Sequence, residues 1–496
     1  MMHHVRYRAW TALIVLAVAA LFVVTPAQAR ERVAGVLHVH SDLTTGDLPL
    51  EEVARIAEAS GIGAIFLAEN YLLRVEYGLP PFRALTRVTR EEPSVLGAGG
   101  PTRFLERVAA TRRLYPRLII VPGVEVMPHY FWTGSPVSLS MTLHNVQKNL
   151  LVFGVADPAA LSSLAATGNR HESRYGWQSL ADLTPAVLVV PGVVLLGRKR
   201  RELRRLGRTV VVVWRRRWGI GLALIAVGLL GVVRGWPFTV DRFPPWQNAG
   251  LEPYQTLIDQ VDRLGGVTMW SFPEAADVGQ RKVGPVQVAW LTEPYADDLL
   301  RTFRYTAFGA VYEQPTRFTD PGLGWDRLLG QYVRGERSRP AWAVAESGFH
   351  GLARGKRLGP VQTVFLVDER SEAGVLEAFK RGRLYAVRRP PEMALVLSDF
   401  SITAAAATAA SGETLRVAEG ARLSVRVAVE SSDGGSHPLR VTLLRNGTAA
   451  ETWAGQTPFT AVHDETFDGT PLVFRVESRG RAPHQLLTSP VFVRKP

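Results

Sequence analysis

The stretch Leu37-His38-Val39-His40-Ser41-Asp42-Leu43-Thr44-Thr45-Gly46-Asp47 decides the fold. Ahead of it, residues 33–39 form an apolar run that reads as a strand. Behind it, residues 49–60 read as a helix, with Pro49 near the first turn, Val53, Ile56 and Ala57 on one stripe, and Gly61 closing it. His38 and His40 therefore fall two apart at a strand end, and the pleat points both imidazoles to one face. Two such imidazoles can bind a single divalent metal. Surface and core histidines explain most pairs of this spacing, so the weight comes from the strand, loop and helix around it.

The same alternation continues outward. Residues 62–68, 118–126, 150–155 and 266–270 read as strands, and residues 104–115 and 254–264 as helices. A loop rich in Pro, Gly and charge covers residues 71–100. Repeated β–α units predict a parallel α/β sheet or barrel, with chemistry gathered where the strands end. From about Met393 the pattern changes to short alternating runs beginning at Leu415, Leu423, Leu439 and Leu472. Asp433-Gly434, Asn446-Gly447 and Asp468-Gly469 punctuate them as turns, which is the pattern of an all-β sandwich.

Composition narrows the chemistry. The 496 residues leave room for two or three domains, and 46% hydrophobic content excludes a disordered chain. Cysteine is absent, which excludes disulfides, thiolate nucleophiles and Cys-based metal sites. Any metal must be held by His, Asp or Glu.

The chain begins as an export signal does. Arg6 and Arg8 form a basic flank, residues 10–24 are apolar, and Ala27-Gln28-Ala29 supplies a small-x-small cleavage site. An uncleaved anchor of the same orientation is the alternative, and either places the following residues outside the cytoplasm. The formal charge of +13 is concentrated in residues 198–217, which hold ten Lys/Arg against Glu202 alone. Apolar runs at residues 183–197 and 218–233 flank that segment. Each is shorter than the roughly 20 residues that comfortably span a bilayer. We read the three parts as a transmembrane hairpin whose basic loop is cytoplasmic. A surface-lying basic insertion is the alternative. Nucleic-acid binding is not expected, since the loop lacks aromatics interleaved on a folded face.

With the hairpin excised, residues 33–389 resemble the PHP (polymerase and histidinol phosphatase) superfamily of metal-dependent hydrolases. His38-x-His40 resembles the first motif, and Gly123-Val124-Glu125 the motif whose carboxylate bridges two metals. His144 resembles the next metal histidine, and His350 in Ser347-Gly348-Phe349-His350-Gly351 the closing motif. Residues 364–385, with Glu372, Ala378 and Gly382-Arg383, are similar to the last strand and helix. The resemblance implies a distorted (β/α)7 barrel, up to three metals and phosphoester hydrolysis.

Three motifs depart from that pattern. Ala68-Glu69-Asn70 stands for Thr-Asp-His, Ser271-Phe272-Pro273 for Ala-His-Pro, and Ser347-Gly348-Phe349-His350 for Ser-Asp-x-His. The resemblance then assigns His38, His40 and Glu125 to a first metal, Glu125 and His144 to a second, and Asp47 and His350 to a third. Glu69, His129, His171, Glu274 and Glu293 are candidates to replace missing ligands, Glu69 foremost.

These readings divide the chain into a signal peptide or anchor (1–29), a barrel in two parts (30–182 and 241–392), a transmembrane hairpin (183–240) and an Ig-like β-sandwich (393–496). The expected function is a membrane-tethered, extracytoplasmic hydrolase of small-molecule phosphoesters at a bacterial inner membrane, facing the periplasm. Its cofactor would be a divalent metal, Zn, Mn or Fe, one rather than three, with no catalytic group beyond a metal-bound water. The alternative is a catalytically degenerate barrel serving as a ligand-binding, sensory or envelope structural module.

Overall fold

The computed structural model describes residues 30–97, 99–314, 316–353, 355–390 and 392–496. The export-signal residues lie outside this range. The chain is a mixed α/β protein with two large sheets, several small ones, and two long apolar helices.

Seven strand positions place the candidate site. Strand Glu31–Val39 pairs in parallel with Ala64–Leu67, which pairs in parallel with Ile119–Val121. One residue on, the chain crosses into a second sheet as Glu69–Asn70 and Gly123–Val126. That sheet continues through Leu150–Phe153, Val267–Trp270, Ala307–Val311 and Trp342–Ala345. Past its end, Ser347 N–H donates to the Leu37 carbonyl and Phe349 N–H to that of His38, which returns the pairing to the first strand. Around these strands a single apolar cluster forms, including Phe66, Phe153, Trp270, Phe308 and Phe365.

Helices cover the sheets where the apolar periodicity predicts them. Leu50–Ala59 buries Leu50, Val53, Ala54 and Ala57 on one face, while Glu51 and Glu52 sit in its first turn, where carboxylates complement the helix dipole. Gly100–Leu114 and Glu252–Arg263 fall within a few residues of the sequence expectation.

The expected all-parallel order is corrected at two places: Val361–Val367 runs antiparallel to both Glu31–Val39 and Leu384–Arg388, and a second departure lies beside the site. Leu150–Phe153 runs antiparallel to both neighbours. The connection before it holds the strands Phe131–Ser135 and Ser140–His144 rather than a crossover helix, and a parallel return needs a crossover. The 71–100 segment is also not wholly loop, since Arg74–Tyr77 pairs with Val88–Glu91.

The C-terminal residues form strands throughout, as their alternation predicts. Asn446 and Gly447 both have positive φ, +50° and +84°, the conformation a tight hairpin turn requires. One four-stranded sheet contains Leu395–Ala404 and Arg422–Ser431. The other strands extend the first large sheet, because Leu384–Arg388 pairs with Gln485–Thr488. The two regions are also joined by a buried ion pair, Arg475 to Asp326 at 2.6 Å, with Arg475 stacked over Trp325.

Between the two parts of the sheet system, Trp177–Gly197 and Trp218–Gly235 are helices of 21 and 18 residues, long and apolar enough by length and composition to cross a membrane. The first is longer than its apolar run because Trp177–Leu183 joins the helical stretch. Their mutual contact is built on glycine: a Cβ on Gly192 would lie 2.8 Å from the Gly221 carbonyl oxygen, and one on Gly228 3.0 Å from that of Pro185. Ile225 and Leu196 pack onto those glycines, while other large side chains point away, with Val190 66% and Val233 74% exposed.

Candidate metal centre

His38 reaches the site through a backbone irregularity. The pairing with Ala64–Leu67 slips between Leu37 and Val39, which makes His38 the extra residue of a bulge. Its φ is +66°, a left-handed conformation costly for a residue with a Cβ. Such bulges re-aim a side chain beside active sites. The two imidazoles do converge, with the Nε2 atoms 3.1 Å apart. A bulge and the strand's end bring them together rather than simple alternation along a pleat.

Glu125 completes the cluster from strand Gly123–Val126. Its carboxylate oxygens lie 3.5 Å from His38 Nε2 and 3.5 Å from His40 Nε2. Among the described residues, these three are the group whose ligand atoms all lie within 4.8 Å of one another. Ligand bonds of about 2.0–2.1 Å at tetrahedral angles hold donors about 3.3–3.4 Å apart. The observed spacings match those edges, so two nitrogens and a carboxylate fit one divalent ion with a position left for water.

The surroundings fix each donor. His38 Nδ1 donates to Glu346 across 2.7 Å, and Glu346 is fully buried. That bond leaves His38 Nε2 as the ring nitrogen facing Glu125 and His40. Ser271 Oγ and the Phe272 N–H donate to the same Glu346 carboxylate at 2.6 and 2.9 Å. Gly309 makes the room, since a Cβ there would stand only 1.9 Å from Glu346 Oε2. Asn149 Nδ2 donates to Glu125 at 2.7 Å. His350 stacks on His40 with ring centres 4.0 Å apart, and its Nδ1 meets Thr45 Oγ1 at 3.2 Å.

Charge is concentrated here. Burial opposes the His38 cation, but Glu125 and Glu346 outweigh it and push its pKa up to about 9. Burial likewise opposes the Glu125 carboxylate, and His38, His40 and Asn149 pull it down to about 2.

The other candidates are placed elsewhere. Glu69 is buried, raised by that burial to about 7, and accepts from the Ser41 N–H and hydroxyl and from Thr44 Oγ1. It holds the loop that follows the histidines. Asp47 accepts from the Ala353 N–H at 2.7 Å and pins the loop after His350. His144 stacks on Phe131 at 4.5 Å and bonds Thr133 Oγ1. Asn149, five residues later, is the side chain from that region that reaches Glu125. His129 is occupied by Thr167 Oγ1 and the Gln247 carbonyl. Glu274 accepts from the Arg317 N–H, while His171 and Glu293 are exposed. Phe272 brings no donor, and its ring lies 5.2 Å from that of His38.

Glu346, Ser271 and Asn149 were not singled out from sequence. The one available signal for Glu346 is a carboxylate directly ending the apolar strand Trp342–Ala345.

No family model and no curated protein matches the chain. Solved structures similar to it include two described as phosphoesterases. One is a two-domain protein from Bacteroides vulgatus described as containing a predicted PHP-like metal-dependent phosphoesterase, at 10% identity and a TM-score of 0.33, over 90% of this chain and 91% of that one. The other, from Bifidobacterium adolescentis, is described as a candidate metal-dependent phosphoesterase, at 14% identity and a TM-score of 0.29, over 67% of this chain and 92% of that one.

Proposed function

We propose that the chain is a membrane-tethered, PHP-type metal-dependent hydrolase acting on phosphoesters outside the cytoplasm. The observation that carries this reading is the convergence of His38 Nε2, His40 Nε2 and the Glu125 carboxylate at tetrahedral spacing. A divalent metal there, Zn, Mn or Fe, would polarise a phosphoryl oxygen and make water acidic enough to attack at neutral pH. His38 and His40 would hold it through Nε2, and Glu125 through its carboxylate. Glu346 keeps the proton on His38 Nδ1, and Asn149 fixes the rotamer of Glu125. Lys356, whose ammonium donates to the Ser347 carbonyl and lies with the Phe272 ring beside Gly348, would supply a cation for an anionic substrate.

The return of the strand pairing from Ser347 to Leu37 supports a seven-stranded barrel over residues 30–182 and 241–392. The shared apolar cluster of the C-terminal strands supports a β-sandwich at 393–496. A glycine-lined helix pair with outward Val and Leu supports a membrane hairpin at 183–240, since bilayer helices pack through small residues. The positive-inside rule puts the Arg-rich segment in the cytoplasm and both flanking parts in the periplasm.

Phe272 favours one metal rather than three and keeps a second reading in play, a degenerate site that binds without turnover. Metal analysis of the purified protein, with a phosphatase and phosphodiesterase panel, separates the two. We expect about one equivalent of metal per chain, lost in His38→Ala together with any turnover. Metal without turnover leaves the binding module. No Zn, Mn or Fe above trace, with His38→Ala unchanged, sinks the hydrolase reading. A reporter fused near Arg205 is expected to be active only in the cytoplasm.

A further inference from the structure

The segment between the two apolar helices is folded. Lys199–Leu206 and Thr209–Arg216 form a two-stranded antiparallel ribbon, turning at Gly207 with φ +61°. No third strand pairs with it among the described residues, and all its side chains are exposed except that of Val213, which is half-buried. A lone two-stranded hairpin is at best marginally stable in water. This one therefore calls for a surface to lie on.

The register says which surface. Lys199 opposes Arg216, Arg201 opposes Trp214, Leu203 opposes Val212 and Arg205 opposes Val210, and directly opposed residues share a face. That face carries four cations and no acid, with an apolar strip of Leu203, Val210, Val212 and Trp214 among them. Leu203 and Trp214 are 66% and 62% exposed. The opposite face holds Glu202, 3.9 Å from Arg215. One face is thus both more apolar and more uniformly cationic.

We propose that this face lies flat on an anionic phospholipid surface. Its cations meet lipid phosphates, and Trp214 sits at the headgroup level, where indole rings favour the boundary between wet and apolar regions. The inference rests on the membrane-hairpin reading, because the helix ends at Gly197 and Trp218 would bring both ends of the ribbon to one face of the bilayer. Charge complementarity selects anionic lipid over neutral lipid.

The test uses the full-length protein in nanodiscs of phosphatidylcholine alone or with added phosphatidylglycerol. Proteinase K cleavage within the ribbon is expected to slow about tenfold with the anionic lipid. Brominated lipid should quench a fluorescence component that Trp214→Phe removes. The double variant Arg201→Glu/Arg205→Glu should abolish protection, while Arg200→Glu/Arg204→Glu on the other face should keep most of it. Equal cleavage in both lipids, or equal loss from both double variants, overturns the proposal. So does protection in lipid-free detergent that grows with protein concentration, which would mark strand pairing between copies. Release of the chain by alkaline carbonate instead defeats the membrane-hairpin reading itself, whereas a retained chain with lipid-independent cleavage defeats the ribbon proposal alone.

Discussion

Glu346 and His38 are 308 positions apart in the chain, yet His38 Nδ1 donates to the Glu346 carboxylate across 2.7 Å. A carboxylate behind a ligating imidazole fixes its tautomer, orients the ring and raises its basicity. Glu346→Gln keeps the volume but removes the charge. We expect a 10–100-fold loss of metal affinity, read by calorimetric titration of the metal-free protein, with the fold intact by circular dichroism. Unchanged affinity would show that His38 needs no such support.

Gly309→Ala tests the same relationship from the other side. Its Cβ would occupy the place of Glu346 Oε2, so the carboxylate must swing away from His38. Overpacking of this kind costs about 1–3 kcal/mol, and metal affinity should fall as in Glu346→Gln. A variant of normal affinity would mean that Glu346 can move without consequence.

The Arg475–Asp326 pair ties the C-terminal strands to helix Gly324–Val333, with side chains only 1% and 6% exposed. Arg475→Ala leaves Asp326 buried without its cation and should cost about 3–5 kcal/mol. The double variant Arg475→Met/Asp326→Asn should recover much of that in thermal unfolding. If the single variant unfolds like the parent, the contact does not couple the two regions.

His129 predicts a pH dependence. Burial, only partly opposed by the Gln247 carbonyl, lowers its pKa to about 4. The unfolded chain takes up a proton near 6.5, which the folded chain refuses until about 4, so stability falls as pH drops through that window. The contribution is roughly 3 kcal/mol at full development. Subtracting the pH–stability curve of His129→Gln from that of the parent should isolate this slope, and parallel curves would contradict it.

Much of the scaffold was legible because short-range physics writes it. Apolar periodicity located the helices Leu50–Ala59, Gly100–Leu114 and Glu252–Arg263, and the Asn446-Gly447 pair located a hairpin turn. Spacing was less dependable for side-chain direction. His144 occupies the right place in the order of motifs, but the strand Ser140–His144 pairs outside the two large sheets, and Asn149 reaches the site instead. Asp47 and Glu69 carry suitable carboxylates that loop amides and hydroxyls already engage.

By itself the sequence determined the donor types available, the absence of thiolates, the two apolar helices with an Arg-rich segment between them, and His38, His40 and Glu125 as candidate ligands. Those properties depend on residue identity and local period. Tertiary structure decided which donors meet. The bulge at His38, the return of Ser347 to Leu37 and the space left by Gly309 together set Nε2, Nε2 and carboxylate at ligand spacing, with Glu346 behind them. Such convergence depends on strand register and backbone conformation between residues hundreds of positions apart, and local periodicity does not encode either.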